Sequence, residues 1–148
     1  MTSSTRASDT VSSDPLSLPL PVDVTAPTVA RHLVRVLLGG LGLGGQAVDD
    51  VLLATSELVT NAFEHGGAPD RLELEYFRGK LMLRVFDSGD GEPELKTPSP
   101  ELARSRGLYL VNALAEGWGF ERRADGKYVW AEFMVPAEDE GPRRKLVG

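Results

Sequence analysis

Three polar side chains recur at four-residue intervals within a stretch of the sequence that also has apolar residues at helical spacing. They are Glu57, Asn61 and His65, and the stretch runs from Ala54 to His65. Because an α-helix has about 3.6 residues per turn, residues four apart lie on one side of it, and the spacing predicts a helix that presents a carboxylate one turn from a carboxamide. Such a pair could serve as a general base and a metal-coordinating oxygen. A solvated helix edge is the commoner explanation of this stretch taken alone.

Two glycine-containing motifs follow along the chain. Asp87-Ser-Gly-Asp-Gly91 comes after two strand-like segments, and Ser105-Arg-Gly-Leu108 opens a predicted helix. The first of these motifs, taken alone, is more often a polar turn than a binding site. Their order after the Glu57 and Asn61 helix makes them informative, because a motif is meaningful only in its structural context.

A strand and a helix are predicted before the central helix. Alternating leucines around Pro19 indicate a short edge strand, where a residue without an amide proton is tolerated. Thr25 is the predicted N-cap of a first helix that ends at Gly39-Gly40. His32 is expected on the surface of this helix. The apolar residues expected on one face of it are Val29, Leu33, Val36 and Leu37.

The glycine-rich segment 41–45 is interpreted as a connection between helices. It looks like a phosphate loop, but no Lys-Ser or Lys-Thr pair follows it and no convincing strand precedes it. The central helix is then predicted from about Gln46 to His65, where Gly66-Gly67 and Pro69 stop it. His65, in the last turn, is expected to complement the helix dipole rather than to accept a phosphoryl group.

Two hairpins are predicted in the second half of the chain. The first turns tightly at Arg78-Gly-Lys80, and its second strand delivers Asp87 into the glycine motif. The second turns at Asp125-Gly126 and ends with the strand from Lys127 to Val135. Large side chains on both faces of this last strand indicate a central, covered strand.

A loop and a helix are predicted between the two hairpins. The segment from Glu92 to Arg104 contains several prolines and has no periodicity, which indicates an exposed loop that could serve as a lid. The following helix is expected from Gly107 to about Glu116, with Leu108 among its buried residues.

This order of elements predicts a two-layer α/β sandwich, with helices on one face of a mixed, largely antiparallel sheet. A chain of 148 residues is most simply one domain. We expect that domain over residues 15–136, between a disordered Ser/Thr-rich tail of residues 1–14 and a polar tail of residues 137–148.

Composition excludes several classes of function. The net charge of −6 would repel a phosphate backbone, so nucleic acid is a poor candidate partner. The chain contains no cysteine, which excludes disulfides, thiolate metal sites and cysteine nucleophiles. The sequence shows neither a signal-peptide pattern nor an apolar run long enough to cross a bilayer, so we expect a cytoplasmic protein that is not inserted in a membrane.

Three motifs resemble sequence boxes of the gyrase, heat-shock chaperone, histidine kinase and MutL (GHKL) ATPase superfamily. Glu57-Leu-Val-Thr-Asn61 resembles the N box, and the motifs at Asp87 and Ser105 resemble the first and second glycine boxes. The resemblance covers roughly Leu16 to Pro136 and is greatest for the stand-alone anti-sigma-factor serine kinase-like proteins of actinobacteria. It implies a Bergerat-type ATP-binding fold, with ATP and Mg²⁺ as ligands.

The resemblance also implies a role for each site residue. Glu57 would be the catalytic base toward an attacking hydroxyl, and Asn61 would coordinate Mg²⁺. Asp87 would accept a hydrogen bond from the adenine amino group. Two glycines of the first box would allow close approach of the nucleotide, and three residues of the second box would offer amides at a helix N-terminus to the phosphates. These five residues are Gly89, Gly91, Arg106, Gly107 and Leu108.

Three features depart from the family pattern. Ser105 stands where the second glycine box usually has a glycine. The segment from Glu92 to Arg104 is short for a lid. No serine or threonine occurs in Lys127-Tyr-Val-Trp130, near the start of the last strand, where the family often has one. Phosphate wrapping and adenine contacts are therefore expected to differ from the family pattern.

The implied function is that of an ATP-dependent protein serine/threonine kinase that also sequesters a sigma factor and phosphorylates an anti-sigma-factor antagonist. A module in which ATP only shapes a protein interface is the alternative. A detached catalytic domain of a histidine kinase is a weaker alternative, because the chain lacks room for a dimerising helical hairpin with its phosphoacceptor histidine. The related regulators are often dimers, so a homodimer is expected by analogy alone.

Overall fold

In the described part of the chain, five strands form one sheet and the helices pack on one of its faces. The computed structural model describes residues 15–65, 67–88, 99–124 and 126–137. The strands are β1 (Leu16–Pro19), β2 (Pro69–Phe77), β3 (Lys80–Asp87), β4 (Gly117–Arg123) and β5 (Gly126–Met134). The helices are α1 (Ala26–Gly40), α2 (Gln46–Glu64), α3 (Pro100–Arg106) and α4 (Tyr109–Leu114).

Neighbouring strands of the sheet run antiparallel in the order β1, β2, β3, β5, β4. Strand β1 therefore lies at an edge and β5 lies inside the sheet, as the sequence predicts. Strands β2 and β3 are joined by Arg78 and Gly79, whose φ angles of 53° and 82° are the positive values that a two-residue type I′ turn requires. The predicted two-layer α/β sandwich is confirmed.

Alternating apolar residues of the inner strands face the helices and form the core. Leu74 lies opposite Leu83, and Leu72 lies opposite Val85, as the alternation in the sequence predicts. Because side chains alternate between the two faces of a strand, a slip of one residue in either strand would turn its two core residues toward solvent. Helix α2 packs against β2, β3 and β5, and its orientation is therefore set by the middle of the sheet.

Helix α1 begins at the predicted position, but its start is stabilised differently. Thr25 occupies the N-cap position, yet its side chain makes no hydrogen bond to the helix. Its hydroxyl and its backbone amide both donate to Asp23 Oδ1, the amide at 2.8 Å. His32 is exposed on α1, as predicted.

The buried face of α1 differs from the predicted face. Val36, expected in the core, is 56% exposed, whereas Val34 is completely buried. The prediction was wrong because it relied on large apolar side chains, while the buried face of α1 includes two alanines. The fully buried residues of α1 are Ala26, Ala30, Val34 and Leu38.

A helix occupies part of the segment that was predicted to be a loop. Helix α3 begins after Ser99, whose hydroxyl accepts the backbone N–H of Leu102 at 3.1 Å, and Pro100 lies in its first turn. This is a regular helix start, since serine is a favoured N-cap and proline is favoured at the first helical position. Leu102 and Ala103 are buried against the core. Residues 89–98 lie outside the described residues, so the lid remains a prediction.

The predicted terminal tails also fall largely outside the described residues, which begin at residue 15 and end at residue 137. Asp125 of the second predicted turn lies outside them as well, although Arg123 and Gly126 on either side of it are paired. None of the helices in the described ranges has both the length and the apolar character needed to cross a bilayer.

Replacing Val34 by alanine should destabilise the fold, whereas the same change at Val36 should not. Val34 is completely buried and Val36 is 56% exposed on the same helix. Removing the two methyl groups of Val34 should lower the free energy of unfolding by roughly 2 kcal/mol, from lost burial and the cavity left behind. Val36→Ala should change it by less than about 0.5 kcal/mol, because the side chain is largely solvated. Urea unfolding measures both values, and equal losses would contradict the observed packing of α1.

Candidate functional site

The C-terminal end of α2 leads directly to the first glycine motif in space. His65 ends the helix, and its amide donates to the carbonyl of Asn61 at 3.1 Å. The amide of Gly67 donates to the carbonyl of Ala62 at 2.8 Å, which brings the chain back across the helix end. The next residue, Ala68, lies beside the end of β3. The predicted end of the central helix is therefore confirmed.

Asn61 is a polar residue on the buried side of α2. Its side chain is 3% exposed, and among the described residues no donor reaches its Oδ1 atom. A buried oxygen without a partner costs about 1–3 kcal/mol, so it is seldom kept without a ligand or another reason. A carboxamide oxygen is a suitable ligand for a hard divalent cation. Within the described ranges, no group of three histidine, aspartate or glutamate side chains could hold a metal by itself.

Glu57 lies one turn before Asn61 and is half-buried. Burial raises the pKa of its carboxyl group above the ordinary value of 4.5, and the negative charge of Glu64 raises it further. A Cβ atom added to Gly107 would lie 3.7 Å from Glu57 Oε2, so the backbone of the second glycine motif faces this carboxylate. A carboxylate with a raised pKa binds a proton more readily, which suits a general base.

Asp87 ends β3 as predicted and is 6% exposed. Its Oδ1 atom accepts the backbone N–H of Ala68 at 2.6 Å. Its Oδ2 atom lies 3.1 Å from Nζ of Lys127, the residue directly opposite it on β5. The carboxylate is thus held between the segment that follows α2 and the neighbouring strand. Sequence reasoning did not predict the ion pair with Lys127.

Two glycines lie close against Asp87. The sequence predicts only a helix stop at Gly67 and a hairpin turn at Gly126. A Cβ atom on Gly67 would overlap the Oδ2 atom of Asp87. A Cβ atom on Gly126 would overlap the backbone carbonyl of Asp87, and the φ angle of Gly126 is 144°. Both positions therefore need glycine because the backbone passes so close to Asp87. In the sequence, only the register of the second hairpin, which places Gly126 near the strand of Asp87, could have indicated this close approach.

The second glycine motif ends α3, and its last residue, Leu108, is the N-cap of α4. Arg106 is the last residue of α3, and Gly107 follows in the left-handed conformation with a φ angle of 72°. The amides of Gly107 and Leu108 donate to carbonyls in the last turn of α3, at 3.3 and 2.6 Å. The predicted helix N-terminus is present at Leu108, the N-cap of α4, while the left-handed Gly107 closes α3 by satisfying its last carbonyls. Binding of phosphates by these amides remains a prediction.

The family of the chain follows from a comparison with protein-family models. Residues 20–133 match the model of the histidine kinase-like ATPase domain. The chain belongs to this family. The resemblance to the GHKL superfamily is therefore confirmed, and membership implies that the domain binds ATP. No curated protein matches the chain significantly in sequence.

Two solved structures are similar in fold to this histidine kinase-like ATPase domain. The RsbU and RsbW domains of Rv1364c from Mycobacterium tuberculosis align with a TM-score of 0.61 and 21% identity, over 82% of this chain and 32% of that chain. The catalytic domain of the histidine kinase ThkA aligns with a TM-score of 0.51 and 17% identity, over 84% of this chain and 99% of that chain. At these identities the similarity shows the fold alone.

The histidine kinase-like ATPase fold brings the three sequence motifs to the C-terminal half of α2. Glu57 faces Gly107 of the second glycine motif, and Asp87 of the first glycine motif lies against Gly67, next to the helix end. Asn61 lies on the same half of the helix. His65 is exposed, and its effect on the helix dipole remains a prediction. Outside the described residues lie Gly89 and Gly91 and the side chain of Ser105.

Replacing Gly67 by alanine should disturb the site and the fold together. The new Cβ atom would overlap Asp87 Oδ2, so the carboxylate or the turn must shift. Overpacking of this kind typically lowers stability by about 1–3 kcal/mol. Gly39→Ala is the matched control, because nothing lies within 4 Å of a Cβ atom there and alanine is favoured in a helix. Chemical denaturation compares the two variants, and an undiminished stability of Gly67→Ala would contradict the close packing at Asp87.

Replacing Glu57 by glutamine should raise the melting temperature at neutral pH. Because burial raises the pKa of Glu57 above 4.5, the folded chain binds more protons than the unfolded chain between that pH and the folded-state pKa. The stability of the wild type therefore falls as the pH rises through this window, and glutamine avoids the loss. The melting curves of the two proteins should differ at pH 7 and converge below about pH 4.

Glu121→Gln controls for the removal of one negative charge, because Glu121 is exposed on β4. A Glu57→Gln protein that melts below the wild type at pH 7 would show that the carboxylate stabilises the fold, contrary to the direction of its pKa shift.

Proposed function

We propose that this protein binds Mg²⁺ and ATP beside the C-terminal half of α2 and transfers the terminal phosphoryl group to a serine or threonine of a partner protein. The observation that carries the proposal is the buried, unpartnered Oδ1 atom of Asn61, one turn from the half-buried carboxylate of Glu57. A polar pair of this kind within an apolar helix is costly for the fold, and a bound cation would satisfy it. Family membership supports the same site.

Each side chain has a distinct role in this proposal. Asn61 would offer its amide oxygen to Mg²⁺, and phosphate oxygens and waters would supply the other ligands that this ion prefers. Asp87 accepts a hydrogen bond from the exocyclic amine of adenine. Glu57 accepts the proton of the attacking hydroxyl, while the oxygen of that hydroxyl bonds to phosphorus and ADP leaves. The bound Mg²⁺ neutralises negative charge on the phosphates.

The partner proteins belong to the same proposal and follow from the sequence resemblance. On that basis the chain sequesters a sigma factor in the cytoplasm, phosphorylates an anti-sigma-factor antagonist and acts as a homodimer. The similar fold of the RsbU and RsbW domains of Rv1364c supports a regulatory role of this type without identifying a partner.

A second candidate is a protein-binding module in which ATP is bound but not consumed. The observation that favours it is that the amides of Gly107 and Leu108 donate hydrogen bonds to carbonyls of α3. In this conformation these amides do not point to the phosphates as free donors. Ser105 at the usual glycine position of this motif points in the same direction. The two candidates share the ATP site and differ only in turnover.

Replacing Glu57 by alanine should abolish phosphoryl transfer and leave ATP binding within about threefold of the wild type, because the lost group acts on the hydroxyl and not on the nucleotide. Purified protein is incubated with γ-labelled ATP and candidate antagonist proteins, and transfer is followed by gel autoradiography. Glu121→Ala, which removes an exposed carboxylate on β4, should transfer as the wild type does. Normal transfer by Glu57→Ala would disprove the role of this carboxylate, and binding without transfer by the wild type would favour the module.

A further inference from the structure

Lys127 is a largely buried cation at the predicted base-binding end of the sheet. Its side chain is 11% exposed, and its Nζ atom lies 3.1 Å from Oδ2 of Asp87. Lysine is almost never this buried unless it is paired. The net stabilisation from such a pair is small, because desolvation of both charges offsets most of their attraction. A gain in stability therefore does not explain why a lysine stands at this position. The geometry around Lys127 indicates a role in binding instead.

The Asp87–Lys127 pair has little freedom to change its geometry. The two residues are direct partners in the pairing of β3 with β5, so their backbones are fixed by the sheet. The other carboxylate oxygen accepts the amide of Ala68 at 2.6 Å. Gly67 approaches the carboxylate of Asp87 closely, and Gly126 approaches its backbone carbonyl. The result is a hydrogen-bond acceptor held next to a donor.

An acceptor beside a donor complements one edge of adenine. The exocyclic amine of adenine is a donor, and the adjacent ring nitrogen N1 is an acceptor. A carboxylate alone reads only the amine, whereas an ammonium group beside it can also donate to N1. Guanine, held in the same orientation, would place an acceptor opposite the carboxylate and a donor opposite the ammonium group, so both contacts would be unfavourable.

We propose that Lys127 is a second base-recognition residue, which donates a hydrogen bond to N1 of adenine while Asp87 accepts one from the neighbouring amine. This inference rests on the proposed ATP site and adds a specificity-determining residue to it. Lys127 also stands in the segment Lys127-Tyr-Val-Trp130, which contains no serine or threonine.

The test compares two ligands on three proteins by isothermal titration calorimetry. The ligands are ATP and 1-deaza-ATP, in which a C–H group replaces N1. The wild type should bind ATP about tenfold or more tightly than 1-deaza-ATP, the usual effect of one hydrogen bond to a charged group. Lys127→Met should bind ATP more weakly and lose this discrimination. Lys80→Met, at the far end of β3, should behave as the wild type, because Lys80 is exposed and pairs with Glu132 at 3.3 Å.

A further variant separates base recognition from a purely structural role. Lys127→Gln keeps a neutral donor and should recover part of the discrimination, whereas a lysine that only positions Asp87 would affect ATP and 1-deaza-ATP by the same factor. Thermal melting confirms that each variant is folded. If Lys127→Met does not fold, Lys127→Gln decides the question, because its shorter, neutral donor should discriminate less than the wild type. Discrimination equal to that of the wild type would assign the N1 contact to another group.

Each contrary result has one meaning. Equal affinity of the wild type for ATP and 1-deaza-ATP overturns the role of Lys127 and leaves the ATP site standing. An equal loss for both ligands in Lys127→Met, or tighter ATP binding by that variant, overturns it as well, since the lysine would then position Asp87 or compete with the base. Failure of the wild type to bind ATP at all overturns the proposed function, and this inference with it.

Discussion

The buried carboxylate of Asp87 joins the middle of the sheet to the end of α2. One of its oxygens accepts the amide of Ala68, which follows the helix, and the other pairs with Lys127 on the adjacent strand. Because a buried carboxylate is stable only with partners, this contact fixes the distance between the central strands and the helix end. Asn61 and Glu57 lie on that half of the helix, so their position relative to the sheet depends on the same contact.

Helix α2 combines two requirements that oppose each other. Its apolar stripe packs on the sheet and holds the helix in place, while Asn61 keeps an oxygen buried without a donor among the described residues. The same helix carries Glu57, whose pKa is raised because burial disfavours its charged form. Natural proteins keep such unfavourable groups mainly at functional sites. The unfavourable groups of α2 and the three sequence motifs occur on the same part of the helix.

The sheet face opposite the helices is covered by side chains lying along it. The guanidinium group of Arg71 lies 3.7 Å from the centre of the Phe86 ring, and the Phe86 and Tyr128 rings are 4.8 Å apart. Arg84 pairs with Glu75 at 3.1 Å on the same face. Long charged side chains can cover apolar rings while their charges stay in water. Phe86 is therefore buried there, whereas the outward residues of β5 are only partly covered, in contrast to the fully covered strand that was predicted.

Local sequence patterns by themselves determined the helices α1 and α2, the two hairpins and the placement of Glu57 one turn from Asn61. They could do so because periodicity and turn residues act over a few neighbouring positions of the chain. They missed α3, where the serine and proline of a helix start resemble those of a loop. Only the tertiary structure decided which face of α1 is buried, and that Lys127 pairs with Asp87. Both depend on surfaces contributed by segments distant in the chain, and no pattern within a single segment specifies its partner.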